Sequence, residues 1–153
     1  MKKFLFALTL IFALTISFTA FAEVQRFKYF KINVPKNWTA TQNGATVTIK
    51  SNKRNSSLSI AIANRGEATL EDVANRLCKQ LNGEDFEADD DGDYTFTYKD
   101  MAGADFSVLV SNMGDKKYGL IAFSYENERD SDTIGKILDS AEFIDSEEEE
   151  EEE

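Results

Sequence analysis

The chain has 153 residues, 17 of them basic, 28 acidic and none histidine, for a formal net charge of −11 at pH 7. That balance argues against nucleic-acid binding and against attraction to anionic lipid surfaces, since both depend on clustered Lys and Arg. The absence of His removes the commonest general base and metal ligand, and one cysteine, Cys78, cannot form an internal disulfide.

In chain order, Met1-Lys2-Lys3 opens a positive segment, Phe4 to Phe18 is almost wholly apolar, and alanines stand at 20 and 22 before Glu23. This three-part pattern predicts a cleavable secretory signal over residues 1–22. Thr9, Thr15, Ser17 and Thr19 dilute the apolar stretch, which falls short of the about 20 residues a spanning helix needs. No stable membrane insertion is therefore expected after cleavage, and the product is expected in the periplasm or the medium. No cysteine lies near the cleavage point to carry a lipid. Without Lys2 and Lys3 the charge becomes −13, of which the run Glu147 to Glu153 carries seven.

The remaining residues predict one α+β domain over 23–145, followed by a disordered acidic tail over 146–153. Apolar residues at 27, 29, 30, 32 and 34 alternate with one slip, as in a bulged strand that Pro35 ends. Lys36-Asn37-Trp38 then reads as a turn returning an aromatic to the core. Val47 and Ile49 form a short half-buried strand, and Leu58, Ile60 and Ile62 a second, with the polar loop 51–56 as their hairpin. Thr69-Leu70-Glu71-Asp72 resembles a capping box. Leu70, Val73, Ala74, Leu77, Cys78 and Leu81 follow helical spacing up to Gly83, with Glu71, Asn75, Arg76, Lys79 and Gln80 on the other face. Cys78 thus falls on the apolar side, as a buried structural thiol.

In the second half, Tyr94, Phe96 and Tyr98 alternate with Thr95 and Thr97, and read as core side chains. Phe106, Val108 and Val110 alternate with Ser107, Leu109 and Ser111. The apolar run Tyr118 to Tyr125 predicts an inner strand covered on both faces. Turns at Ala102-Gly103 and Met113-Gly114-Asp115 make these three an antiparallel meander. A second helix is predicted over Ser131–Ala141, with Asp130 to Asp132 as its caps. The order strands, helix, strands, helix predicts a mostly antiparallel sheet flanked by helices.

Candidate sites are few. If Gly92 is the sixth position of a calcium loop, Glu87, Asp89, Asp91 and Asp93 take the first, third, fifth and seventh positions. Tyr98 stands at the twelfth, where a bidentate Glu is required, so the favoured reading is an acidic turn before a strand, with weak calcium binding as the alternative use of Asp89, Asp91 and Asp93. No other cofactor is expected. No spacing marks a carboxylate pair, and without His only a Ser-Lys pair remains for nucleophilic hydrolysis. A hydrolase is accordingly the least favoured function.

The segment Phe30-Lys31-Ile32-Asn33-Val34-Pro35-Lys36-Asn37-Trp38 resembles the opening of PsbP-like domains. The close, Ile137-Leu138-Asp139-Ser140-Ala141-Glu142-Phe143, is similar to their last helix and the segment after it. The resemblance spans about residues 26–145 and implies a PsbP-like α/β/α sandwich in which Trp38 fills the core and Phe143 caps it. It also implies docking onto other macromolecules rather than catalysis, and it transfers no functional residue. The expectation is an exported, non-catalytic accessory protein of the bacterial envelope that binds another envelope protein. A small-ligand or divalent-cation binder is the alternative.

Overall fold

The computed structural model of the protein describes residues 22–114 and 116–144. The expected signal, Ala22 apart, and the expected acidic tail fall outside the described residues. Ten strands and two helices follow in the order β1 (Ala22–Arg26), β2 (Phe30–Pro35), β3 (Trp38–Asn43), β4 (Thr46–Ser51), β5 (Ser57–Asn64), α1 (Leu70–Gln80), β6 (Glu84–Ala88), β7 (Tyr94–Lys99), β8 (Asp105–Asn112), β9 (Lys117–Ser124), α2 (Glu128–Asp139) and β10 (Glu142–Phe143). The fold is α+β, as expected, and its sheet pairings are antiparallel.

Seven strands make the main sheet in the order β3-β4-β5-β9-β8-β7-β6, and three make a smaller one in the order β1-β2-β10. Side chains opposite one another in a ladder share a face. Val47 opposes Ile60, Ile60 opposes Ile121, and Ile121 opposes Leu109, so these residues line the first face of the main sheet. Phe96 opposes Val108, which opposes Ala122, on the second face.

Each face carries its own core, offset along the sheet. On the first face, Val47, Ile49, Leu58, Ile60 and Ile62 pack with Phe30, Ile32 and Val34 of β2 and with Ile134 and Ile137 of α2. On the second face, Phe96, Val108 and Val110 pack with Ala74 and Cys78 of α1. The central strand β9 serves both, with Ile121 and Phe123 on one side and Leu120 and Ala122 on the other. This explains its nearly continuous apolar run. Among the described residues the offset leaves the β8–β7 end of the first face and the β3–β5 end of the second without a helix.

Most expected local features are present. Pro35 ends β2, Trp38 is buried, Cys78 is buried, and the Thr69–Asp72 capping box is formed. The expected bulged strand over 27–34 is instead β2 alone, preceded by a turn in which Phe27 N–H donates to Phe30 O at 2.8 Å. β1, β3, β6 and β10 are strands that no hydrophobic alternation in the sequence predicts.

Two corrections concern the C-terminal segment. Helix α2 starts three residues early, at Glu128, and its cap is Asn127, whose side chain accepts from Asp130 N–H. Asp130 is therefore inside the helix and points inward, where it meets an arginine. Phe143 does not cap the core: it is 56% exposed and touches the ring of Phe30 edge-on at 6.4 Å.

Candidate functional site

Among the described residues the most buried polar side chain is that of Asp130, whose carboxylate is excluded from solvent. Arg54, in the β4–β5 loop, grips it with both arms of the guanidinium, Nε to Oδ2 at 2.7 Å and Nη2 to Oδ1 at 2.6 Å. Ser56 donates its hydroxyl to Oδ2 at 2.6 Å and accepts from Glu126 N–H at 3.0 Å. The Arg54 bonds, then the Ser56 bond, hold the Asp130 carboxyl below the usual carboxylate range against the opposing effect of burial, and Arg54 is raised in turn. Both carboxylate oxygens are thereby engaged, so the cluster works as a clip between the β4–β5 loop and the start of α2.

The acidic turn between β6 and β7 brings Asp89, Asp91 and Asp93 together around Gly92, which has a positive φ of 83°. Asp89 Oδ1 accepts from the N–H groups of Asp91 and Asp93, both at 2.9 Å, and Asp93 O accepts from Asp89 N–H at 2.8 Å. The turn is thus an Asx turn, in which a carboxylate substitutes for backbone bonding. Glu87 lies in β6, opposite Thr95 and outside the turn. Among the described residues no group of three or more Cys, Asp or Glu side chains is arranged to hold a metal ion. Asn offers the same oxygen as Asp to the two N–H groups. Asp89→Asn is thus expected to leave stability within about 0.5 kcal/mol, whereas Asp89→Ala loses about 1 kcal/mol in thermal denaturation. Calcium titration of the same variants tests the ion reading, because an ion bound here would lose one ligand charge in Asp89→Asn.

The first bare area is the β9–β8–β7 part of the first face. Leu109 stands opposite Ile121 on one side and Thr95 on the other, and Ser107 lies opposite Phe123. The rings of Phe123 and Tyr125 stack at 6.4 Å with an interplanar angle of 11°, and Tyr125 is 48% exposed. Leu109 belongs to neither core cluster. Leu109, Ile121, Phe123 and Tyr125 thus form an apolar strip rimmed by Ser107, Thr95 and Thr97, with Glu84 opposite Thr97 at the sheet edge.

A second bare area adjoins α1 on the opposite face. There a cleft of 170 Å³ separates the helix from the chain leaving β5, and Arg65 and Arg76 are among its lining residues.

By alternation Leu109 falls on the polar side of β8, and by helical spacing Arg76 falls on the solvent side of α1. Leu109 did carry a usable signal, since it is a large apolar residue at the parity of Ser107 and Ser111. The pairing of Arg54 with Asp130, 76 residues apart, left no local trace.

No family model matches the chain, and no curated protein matches it. The solution structure of cyanobacterial PsbP (CyanoP) from Synechocystis sp. PCC 6803 is similar, with a TM-score of 0.56 and 17% sequence identity. The match covers 82% of this chain and 94% of that one. The chain has a PsbP-like fold. Among the described residues no helix is long and apolar enough to cross a membrane.

Proposed function

We propose that the domain is an exported, non-catalytic binding protein of the bacterial cell envelope that docks a protein partner on the open part of its first sheet face. The observation that carries this reading is the apolar strip Leu109–Ile121–Phe123–Tyr125: Leu109 lies outside both cores, Tyr125 is 48% exposed, and Ile121 and Phe123 join them half-buried at the margin of the first core. Apolar side chains ringed by short hydroxyl residues are the arrangement of a contact patch, with a centre that loses water and a rim that keeps it. Glu84 and Glu87 flank the strip on β6. They favour a partner with an apolar patch bordered by Lys or Arg, in keeping with the negative charge of the chain.

The export part of the reading rests on residues 1–22, and the docking part on the strip. Leu109→Lys places a cation at the centre of the strip without disturbing either core. In-cell crosslinking should then give at least about tenfold less partner adduct, the loss expected of a central interface residue, with stability changed by less than about 1 kcal/mol. An equally stable variant with undiminished adduct would refute docking at this face.

A further inference from the structure

We propose that the cleft between α1 and the end of β5 binds the oxyanion head, carboxylate or phosphate, of a small organic molecule. It lies on the second face, away from the docking strip. Its lining is Asn64, Arg65, Val73, Arg76, Leu77, Gln80 and Tyr118, and none of these is acidic. Two of the seven are arginines, so the lining itself carries positive charge in a chain of net charge −11.

The cleft follows from the fold. Helix α1 packs on β7 and β8, so its other flank faces the end of β5 and the start of β9. Positions 73, 76, 77 and 80 recur along one flank of the helix. They set Val73 and Leu77 as an apolar wall and place Arg76 and Gln80 at its border. Across the gap, Tyr118 supplies a ring, and Arg65 enters from the turn after β5, fixed by its backbone N–H bond to Lys116 O at 2.7 Å.

The two guanidinium groups are under-used. Arg65 Nη1 donates to Ala68 O at 2.9 Å, while its Nε is buried with no hydrogen-bond partner among the described residues. A buried N–H left unpaired destabilises the fold unless another acceptor arrives. Arg76 has no carboxylate within ion-pair distance among the described residues. Asp72, one turn earlier on α1, accepts instead from Thr69 N–H in the capping box. Lys116, the neighbouring cation, is paired with Glu67. Two arginines without a shared acid, bordered by two amides and an apolar wall, suit a planar or tetrahedral oxyanion with a short carbon body. The cleft, 170 Å³ and open to solvent, suits a small ligand.

The test is an amide NMR titration of the purified protein with benzoate, phenyl phosphate and neutral benzamide. The proposal predicts saturable shifts at Arg65, Arg76, Gln80 and Tyr118 with one or both anions, at a Kd of about 1 mM or tighter. Benzamide should give none. Arg76→Gln, at an exposed helix position, should weaken binding at least about tenfold, and Lys79→Gln, outside the cleft, should not. Which anion binds identifies the head group. No saturable response to either anion overturns the proposal. So does a response that sodium chloride reproduces, or one that survives Arg76→Gln. Undiminished partner crosslinking in Arg76→Gln would separate this site from the docking face.

Discussion

Phe96→Ala is expected to lower the unfolding free energy by about 3–5 kcal/mol, the loss typical of deleting a buried aromatic ring. Phe96 is 1% exposed and holds the centre of the second core, where α1 meets β7 and β8. The packing around it has no slack. A Cβ added at Gly83 would lie 2.8 Å from both the Phe96 ring and the Cys78 sulfur. Removing the ring therefore leaves a void that the helix fills only by shifting on the sheet. A domain of this size has about 5–15 kcal/mol in total, so urea denaturation should show a much earlier midpoint. Phe143→Ala, at an exposed ring, is the contrast and should cost less than about 1 kcal/mol. Equal effects of the two substitutions would contradict the placement of both residues.

The second large effect is at Asp130. Asp130→Ala leaves Arg54 and Ser56 without the acceptor they share, and is expected to cost about 2–3 kcal/mol, near the lower end for breaking a buried pair. The lower end applies because the Arg54 side chain is 32% exposed and recovers some water. The same pair has a pH signature. The folded-state carboxyl titrates below its unfolded value, so the bond contributes fully above about pH 4 and is lost as pH falls through the depressed value. Acid denaturation should thus begin below about pH 4 in the native protein. Asp130→Asn, which cannot titrate, should be less stable at neutral pH and flatter in this range. A native-like acid profile in Asp130→Asn would exclude the clip as its origin.

How far the sequence was legible depends on where each signal resides. Strands β4, β5, β7 and β8 bury one face, and their alternation is written in consecutive residues. β9, which feeds a core on each face, shows a nearly continuous run. The strands that went unread lie at sheet edges or pair over short stretches. β3 offers Thr39, Thr41, Gln42 and Asn43 around one buried Trp38, and β6 offers Glu84, Asp85 and Glu87 around one half-buried Phe86. Polar and charged side chains protect an edge from pairing with another chain, and the same residues erase the hydrophobic period. β10 is two residues long and exists because β2 is there to receive it.

The helix start shows a different limit. Asn127, Asp130, Ser131 and Asp132 can each cap a helix by composition. Only the long-range partners Arg54 and Ser56 explain why Asp130 faces inward. The aspartates of the β6–β7 turn were legible as a turn, and the backbone N–H groups their first member accepts account for its shape. The docking strip and the arginine cleft were the least legible, because they arise from where the two helices stop covering the sheet. That boundary is a property of packing and leaves no mark at any single position.

Docking of an envelope protein on the open first face is the proposed function. It is tested most directly by placing a photoreactive side chain at Ser107, opposite Phe123 on that face, and at Thr48, opposite Ser59 on the bare part of the other. Irradiation of intact cells should give one dominant envelope-protein adduct from position 107 and none from position 48. Equal adducts from both positions, or none from position 107, would contradict the account.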